Sequence, residues 1–459
     1  MLTLSEQNYN WSINHAVNIG DTDVFPVPFE YEALKHDWSA VKSELLNKNI
    51  FDWPTRPARA LLSPKAKYGF RTITQLDPLD FIIYSSLIYE IADNLESRRV
   101  PIQEERVFSY RVNTTQDGQL FDPDIGYRQF LEKCRRKVSE VSDDIFVAVT
   151  DISDFYSRIY HHRLENALRT ATTKTNHISS LMRLLSGWNG TETFGIPVGC
   201  APSRILAEIT ICDIDEALLA NGIDFIRFND DYRIFSSSKA EAYQHISFLA
   251  ETLFRNHGLS LQQHKTTVLS VGEFENQFLA TPLDREMDSL YDKFHALIEE
   301  LGMESGYEEI DYDDLDEEQQ ELIDALNLVE LFREEAELVE PDIPVVKFCL
   351  RRLGQLGDGS VIEDIFFNLE SLIPAFVDIV EYIKNLRFLN EDSRSQLGGR
   401  LLDLLNNSMV SELAYHRMWI IHVFTESREW DNEAKFVGLY NDEGDHCLLY
   451  TSPSPRDRG

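Results

Sequence analysis

The stretch "IRFNDDYRIF", residues 226–235, places two adjacent aspartates between two apolar runs. Ile226 and Phe228 precede Asp230 and Asp231, and a second apolar run follows them. Apolar runs on both sides of a short polar segment predict a β hairpin with the two carboxylates at its tip. Because Asn and Asp are also ordinary turn residues, the rest of the chain has to show whether this tip is functional.

The composition of the 459-residue chain allows two or three domains with sizeable cores, since 43% of the residues are hydrophobic. No apolar run is long enough for a transmembrane helix, and the N-terminus lacks the pattern of a signal peptide. The five cysteines are scattered without CxxC spacing, which argues against a disulfide framework or a zinc site. We therefore expect a cytoplasmic protein with no membrane partner.

The charge is distributed unevenly along the chain. Of the net charge of −35, residues 1–280 contribute −9 and residues 281–459 contribute −26. Strong acidity argues against non-specific coating of nucleic acid, but it permits a local basic groove on the nearly balanced front part. The change in charge indicates two different units.

The pattern of elements divides the chain in the same way. Residues 1–60 form a mixed N-terminal extension, and residues 61–280 alternate β-like and helical runs, which predicts an α+β domain. Residues 281–450 predict an acidic, all-α domain, in which paired helices at a spacing of about 40 residues suggest a HEAT-like repeat stack. An ordinary helix bundle is the alternative. Residues 451–459 resemble a vector-derived read-through, which leaves open a longer native chain.

Three further features bracket the hairpin in a fixed order. The β-like run "DIFVAVTDI" ends at Asp151, and the stretch "FGIPVGCAPSRILAEI" holds a loop with Pro197 and Gly199 that opens a long helix. After the hairpin, "HGLSLQQHKTTVL" predicts a short strand that ends near Lys265. The order is strand with aspartate, glycine-rich loop with helix, hairpin with two aspartates, and lysine.

Phosphoryl transfer to a nucleotide gives this order a chemical meaning. Two Mg²⁺ ions about 3.5–4 Å apart can clamp the attacking and leaving oxygens of an in-line displacement, and Mg²⁺ prefers oxygen ligands. Asp151 and Asp230 would be ligands, with Asp231 beside them. The glycine loop would let the backbone approach a nucleotide or template. Lys265 would meet the phosphate charge or protonate the leaving pyrophosphate.

The quoted stretches resemble the successive motifs of the reverse transcriptase palm. The first motif is "DISDFY", the second "GIPVGCAPS", the third "FNDD" and the fourth "GLSLQQHKT". Upstream, "SPKAKYGFRTITQLDPLD" is similar to the fingers motif whose lysine and arginine hold the incoming triphosphate, here Lys65 and Arg71. The resemblance covers about residues 55–280 and implies a right-hand palm with fingers.

The resemblance also implies residue roles. Asp151, Asp230 and Asp231 match the metal-binding aspartates, for which Mn²⁺ can substitute for Mg²⁺. Tyr156 matches the aromatic steric gate, whose ring excludes the ribose 2′-OH and so favours dNTPs. Pro197 and Gly199 match the loop that contacts the nucleotide.

Three positions depart from the family pattern. Phe228 and Asn229 replace the usual Tyr and small or thioether residue of the hairpin box, and Val198 replaces a glutamine that contacts nucleotide or template. The variant loop and the helical C-terminal half resemble the abortive-infection (Abi) reverse transcriptases of bacterial antiphage defence. That resemblance implies a helical-repeat domain and assembly into homo-oligomers.

The same resemblance implies DNA synthesis without a template, primed from a protein hydroxyl. The candidate hydroxyls are those of Tyr291, Tyr382, Tyr415 and Tyr440, among which the sequence does not choose. A templated enzyme of the retron or group II intron type is the first alternative, in which an RNA template would be a partner. A catalytically idle palm that serves as a binding or assembly module is the second. The intact set of aspartates favours activity over the idle palm.

Two nearby polar features have plain structural interpretations. Asp154 is expected to cap the following helix or to face solvent rather than to bind metal. His161 and His162 begin a predicted helix without a carboxylate or cysteine at ligand spacing, so packing is the better interpretation.

Overall fold

The structure is a computed structural model that describes residues 1–140, 144–279, 327–386, 389–406, 408–426 and 430. It divides into two compact units. The first unit comprises Met1–Ala60 and Thr74–Ala280, and the second comprises Leu61–Ile73 and Thr281–Gly459. The domain bounds expected from the sequence, 61–280 and 281–450, stay a prediction. The N-terminal residues 1–60 group with the α+β unit, whereas the short segment after them groups with the C-terminal unit.

The first unit is an antiparallel four-stranded sheet surrounded by helices, as the α+β pattern predicts. Its strands are β3 Phe146–Asp151, β4 Asp224–Phe228, β5 Asp231–Ser236 and β6 Thr267–Ser270, in the spatial order β4-β5-β3-β6. Its helices are α1 Glu6–Asn18, α2 Glu30–His36, α3 Trp38–Leu46, α4 Pro78–Arg98, α5 Tyr127–Glu140, α6 Phe155–Arg158, α7 His161–Ala171, α8 Thr175–Asn189, α9 Ala201–Thr210, α10 Cys212–Ala220, α11 Lys239–His257 and α12 Val271–Phe274.

Helix α4 is the centre of the core in the first unit. Asp77 caps its N-terminus by accepting a hydrogen bond from the amide of Leu79, and Pro78 occupies the first turn, where a missing N–H costs nothing. The helix is buried along most of its length and packs against α1, α7, α8 and α9. An apolar helix of this kind stabilises the unit mainly through the hydrophobic surface it removes from water.

A two-stranded hairpin, β1 Arg59–Ala66 and β2 Gly69–Gln75, crosses the boundary between the units. Its tip belongs to the second unit, where Lys67 pairs with Glu370 at 3.1 Å. The hairpin is the segment that the sequence assigns to the fingers.

The described part of the second unit is otherwise helical. Its helices are α13 Leu328–Ala336, α14 Ile343–Leu356, α15 Ile362–Phe367, α16 Phe376–Asn385, α17 Glu391–Asp403 and α18 Ala414–Glu426. Helix α14 packs against α13 and α16, and α16 packs against α18. Asp378 of α16 ties the central pair together by accepting from Lys347 at 3.2 Å and Arg351 at 2.9 Å. The all-α prediction holds for these residues, and a HEAT-like repeat stays a prediction.

None of the described helices is long and apolar enough to span a membrane. The acidic run at residues 304–320 and the tail at 451–459 lie outside the described residues.

Candidate active site

The predicted hairpin at residues 226–235 is formed by β4 and β5. Phe228 and Asp231 are Cα partners, so Asn229 and Asp230 make a two-residue turn between the strands. Asn229 has a φ of +52°, in the left-handed region. Asparagine tolerates this region better than most residues, and two-residue hairpin turns require it. The departure from the family box at Asn229 is thus compatible with a tight turn.

Strand β3 brings Asp151 to this turn. Asp151 and Asp231 are Cα partners across the β3–β5 pairing, and the amide of Ile152 donates to the carbonyl of Asp230 at 3.1 Å. The end of β3 and the hairpin turn are therefore fixed to each other by the sheet, as the sequence predicts. The strand that the sequence predicts to end near Lys265 begins after it instead. Lys265 lies in a 3₁₀ turn, Gln263–Lys265, and β6 follows this turn.

The charges at this point are strongly coupled. Lys265 donates to Asp151 at 2.5 Å from Nζ to Oδ2. Burial lowers the pKa of Lys265, but the hydrogen bond and charge of Asp151 outweigh it, so that the pKa is raised. Burial, followed by the negative charge of Asp151, raises the pKa of Asp230 to about 7. Two carboxylates beside a single lysine form a site that favours additional positive charge.

Asp231 differs from the other two aspartates because its ion-pair partner is an arginine, whereas Asp151 is paired with Lys265. Its carboxylate is paired with Arg233, two residues further along the same strand, and this arginine is buried. Within the described parts of the chain, no three Asp, Glu, His or Cys side chains converge closely enough to hold a metal ion by themselves. The open donor set is Asp151 with Asp230. It fits Mg²⁺, which commonly takes one or two carboxylates and completes its shell with water and substrate phosphates.

Tyr156 reaches the hairpin turn from helix α6. Its hydroxyl donates to Oδ1 of Asn229 at 3.3 Å, and Nδ2 of Asn229 donates to Oδ1 of Asp230 at 2.8 Å. Burial raises the pKa of Tyr156 well above its ordinary value, so the hydroxyl stays protonated and can donate. The structure therefore places the predicted gate residue beside the predicted catalytic turn.

A buried ionic network that the sequence argument missed lies behind the turn. Arg227 of β4 is fully buried and donates from NH1 to the carbonyl of Asn229 at 2.7 Å. The same guanidinium pairs with Asp215 at 2.6 Å and with Glu208 at 3.0 Å. Glu208 also accepts from Arg99 at 2.7 Å. The available signal was an arginine inside an otherwise apolar strand and a glutamate inside the apolar helix "SRILAEI".

The glycine-rich loop is fixed from behind by other parts of the first unit. Gly199 has a φ of +107°, and a Cβ built there would lie 2.7 Å from Val24. The carbonyl of Gly199 accepts from the amide of Asp23 at 3.1 Å, and that of Val198 accepts from Thr74 at 3.3 Å. Pro197 is buried. Glycine at 199 is thus required by the backbone and by packing, in addition to any approach of a nucleotide.

Lys65 and Arg71 belong to a different part of the molecule. Both lie on exposed positions of the β1–β2 hairpin, within the segment Leu61–Ile73 of the second unit. The structure therefore does not bring them together with the carboxylates inside one unit, and their triphosphate role stays a prediction.

The plain interpretations of the neighbouring polar residues agree with the structure. Asp154 is exposed, with a φ of +49°, and its side chain makes no cap hydrogen bond, so it faces solvent. His161 contacts the carbonyl of Gly195 at 2.7 Å through Nε2, and His162 lies near Asn166 at 3.4 Å.

Of the four predicted priming tyrosines, two are buried and two lie outside the described residues. Tyr382 is 1% exposed, and its hydroxyl donates to the carbonyl of Asp358 at 2.6 Å. Tyr415 is 5% exposed. Tyr291 and Tyr440 lie outside the described residues.

Comparison with known proteins gives one family match. Residues 86–318, just over half of the chain, match the family described as reverse transcriptase (RNA-dependent DNA polymerase). The match contains Asp151, Asp230 and Lys265, begins after the hairpin with Lys65 and Arg71, and continues past residue 280. No curated protein matches the sequence.

Solved structures with low similarity include three structures of telomerase from two Candida species. Apo telomerase from Candida tropicalis is 11% identical, with 85% of this chain and 73% of that chain covered and a TM-score of 0.34. Telomerase from Candida albicans with a fragment of telomeric RNA is 13% identical, with 89% and 70% covered and a TM-score of 0.33. The Candida tropicalis complex with the same RNA fragment is 13% identical, with 86% and 68% covered and a TM-score of 0.35. The family assignment rests on the sequence match.

Proposed function

The chain belongs to the reverse transcriptase family of RNA-dependent DNA polymerases, and we propose that it adds dNTPs to a growing DNA strand at Asp151 and Asp230. The observation that carries the proposal is the convergence of these two carboxylates with Lys265, in which the pKa of Asp230 is raised to about 7. Polymerases of this family bind nucleic acid and nucleotides and use divalent metal ions.

Asp151 and Asp230 would hold the metal ions, because they are the carboxylates without an arginine partner at the turn. Bound there, two divalent cations such as Mg²⁺ would neutralise triphosphate charge and lower the pKa of the attacking hydroxyl. In the reaction, the hydroxyl would lose its proton to solvent and its oxygen would form a bond to the α-phosphorus, while the bond from the α-phosphorus to the oxygen of the leaving pyrophosphate would break. Lys265, which stays charged because Asp151 raises its pKa, would give a proton to the leaving pyrophosphate.

Tyr156 would select the sugar. Its ring stands beside the turn that carries Asp230, and its hydroxyl is held by Asn229. A ring at this position would clash with a ribose 2′-OH and leave room for deoxyribose. Lys65 and Arg71 would neutralise the triphosphate from the hairpin.

The finer proposal is that synthesis begins on the protein itself and does not need a template. Two features support it: residues 281–459 carry a net charge of −26, which opposes binding of a long duplex, and Val198 lacks the amide of the usual template-side glutamine. Burial of Tyr382 and Tyr415 weakens their candidacy, which leaves Tyr291 and Tyr440 as the tyrosines to test first.

The experiment is a labelling reaction with pure protein, Mg²⁺ and labelled dNTPs, with and without an RNA template and DNA primer. Products are separated on a denaturing gel before and after protease digestion. The proposal predicts label that migrates with the protein and is released by protease. Label in free DNA only with template and primer would support the retron-like alternative. No label under any condition would support an idle palm.

An antiphage role follows from the resemblance of the loop "GIPVGCAPSRILAE" to the abortive-infection enzymes. We propose that the polymerase acts in that setting. The test is phage challenge of bacteria that express the wild type or Asp230→Ala. Protection by the wild type alone is expected, and equal plaque counts would contradict the role.

A further inference from the structure

Asn229 occupies the turn between the predicted sugar gate and the predicted metal site, and both polar groups of its side chain and its carbonyl have partners there. Its Oδ1 accepts from the Tyr156 hydroxyl at 3.3 Å, and its Nδ2 donates to Oδ1 of Asp230 at 2.8 Å. Its carbonyl accepts from Arg227 at 2.7 Å. One amide side chain thus joins Tyr156 to Asp230, while the backbone beneath it is anchored from the core.

The two hydrogen bonds together fix which way this amide points. Its NH₂ group can only donate and faces Oδ1 of Asp230, and its oxygen can only accept and faces the Tyr156 hydroxyl. Rotating the amide by half a turn would replace the donor that faces Asp230 with an oxygen. The side chain that contacts Asp230 therefore also orients the gate hydroxyl.

The backbone alone does not require this side chain. A φ of +52° is accepted by glycine at least as readily as by asparagine. Glycine would serve the turn alone, but it would lose both side-chain hydrogen bonds. The two hydrogen bonds are what distinguish asparagine at this position.

We propose that Asn229 is a specificity-determining positioning residue, which couples the Tyr156 gate to the Asp230 carboxylate so that rejection of ribonucleotides depends on its amide. The proposal rests on the proposed function, because it takes Tyr156 as the sugar gate and Asp230 as a metal ligand. It goes beyond that function in making sugar choice depend on a side chain of the hairpin turn rather than on the ring of Tyr156 alone.

The test is a double-mutant cycle on the full-length chain with Asn229→Gly, Tyr156→Phe and the pair. Asn229→Gly keeps the turn and removes both bonds, and Tyr156→Phe keeps the ring and removes the hydroxyl. The measured quantity is kcat/KM for a dNTP divided by kcat/KM for the matching rNTP, at saturating Mg²⁺. Each single variant is expected to lower this ratio about 3- to 10-fold, the range of one net hydrogen bond. The double variant should lose no more than the larger of the two single losses, because the residues act through one contact.

Two matched variants separate this effect from general changes. Asp154→Gly introduces glycine at an exposed position that also has a positive φ, and Tyr160→Phe removes the hydroxyl of an exposed tyrosine in the same unit. Both should keep the wild-type ratio.

A wild-type ratio in Asn229→Gly or Tyr156→Phe, or losses that multiply in the pair, would overturn the coupling. Tyr156→Ala tests separately whether Tyr156 is the sugar gate at all. If Tyr156→Ala also kept the wild-type ratio, the gate assignment itself would fail. If the wild type incorporated no dNTP, the proposed function would fail.

Discussion

Arg227 holds the turn that carries Asp230, because its guanidinium donates to the carbonyl of Asn229 at 2.7 Å. The same guanidinium also donates to the buried carboxylates of Glu208 and Asp215. Removing such charges from water is costly, and a buried ion pair often contributes little net stability. Its value here lies in geometry: the bidentate pairs with Glu208 and Asp215 fix the guanidinium, and the guanidinium fixes the turn.

Substitution of Arg227 should therefore affect catalysis as well as stability. Arg227→Lys keeps the charge but loses the planar fork, and we expect a loss of about 2–4 kcal/mol in the free energy of unfolding. Arg99→Lys is the matched control, since Arg99 binds the same Glu208 but does not reach the turn. At a temperature where both variants are folded, only Arg227→Lys should lose most of its incorporation rate. Equal rates in the two variants would show that the network is merely structural.

The ring of Tyr156 is predicted to exclude ribonucleotides. Tyr156→Ala should lower the dNTP/rNTP ratio by more than Tyr156→Phe does, because it removes the ring as well as the hydroxyl. Competition between a labelled dNTP and its rNTP measures the ratio. An alanine variant that matched the phenylalanine variant would assign selection to the hydroxyl and leave no role for the ring.

Lys265 is predicted to act as an acid and as a positive charge, and two variants separate these roles. Lys265→Arg keeps the charge beside Asp151 but cannot release a proton readily, so kcat should fall about 10²-fold with little change in the pH dependence. Lys265→Met should show the same fall, and its rate should also rise at a higher pH than the wild type, because Asp230 loses an attractive charge. Pre-steady-state incorporation over pH 6–9 tests both. Identical pH profiles for Lys265→Met and the wild type would show that Lys265 has no electrostatic role.

The raised pKa of Asp230 predicts a stability change with a definite pH dependence. Its pKa rises from an ordinary value of 3.8 to about 7 on folding, so the folded protein binds the proton more tightly than the unfolded chain. Ionisation between these values destabilises the fold. Asp230→Asn should therefore raise the melting temperature by at least about 2 °C above pH 7. The gain should vanish below pH 4, where both states are protonated.

Thermal melts in EDTA across that pH range make the comparison. Asp154→Asn serves as the control, because Asp154 is exposed and its side chain makes no cap hydrogen bond. A stabilisation by Asp230→Asn that did not change with pH would show that ionisation of this carboxyl does not destabilise the fold.

The parts of the site that follow from local patterns could be predicted from the sequence. The hairpin is marked by apolar runs around polar turn residues, and Asp151 is marked by the end of an apolar strand. The sequence predicts a strand that ends near Lys265, but this lysine lies in the 3₁₀ turn before β6, because such a turn has no distinctive pattern.

Other features depend on contacts between residues that are distant in sequence. Glu208 meets Arg99 across 109 positions, and no periodicity in either helix indicates the partner. The grouping of the segment Leu61–Ile73 with the C-terminal unit is equally non-local. The pair of Asp231 with Arg233 could have been expected, since residues two apart on a strand lie on the same face.

The most direct test of the account is the rate of dNTP incorporation by Asp151→Asn and Asp230→Asn beside Asp154→Asn, with all three shown to be folded by their melting curves. Asparagine keeps the shape of each side chain and removes only the charge. The account predicts incorporation at background for the first two variants and at the wild-type rate for Asp154→Asn. Wild-type incorporation by Asp151→Asn or Asp230→Asn would contradict the assignment of the reaction to this pair of carboxylates.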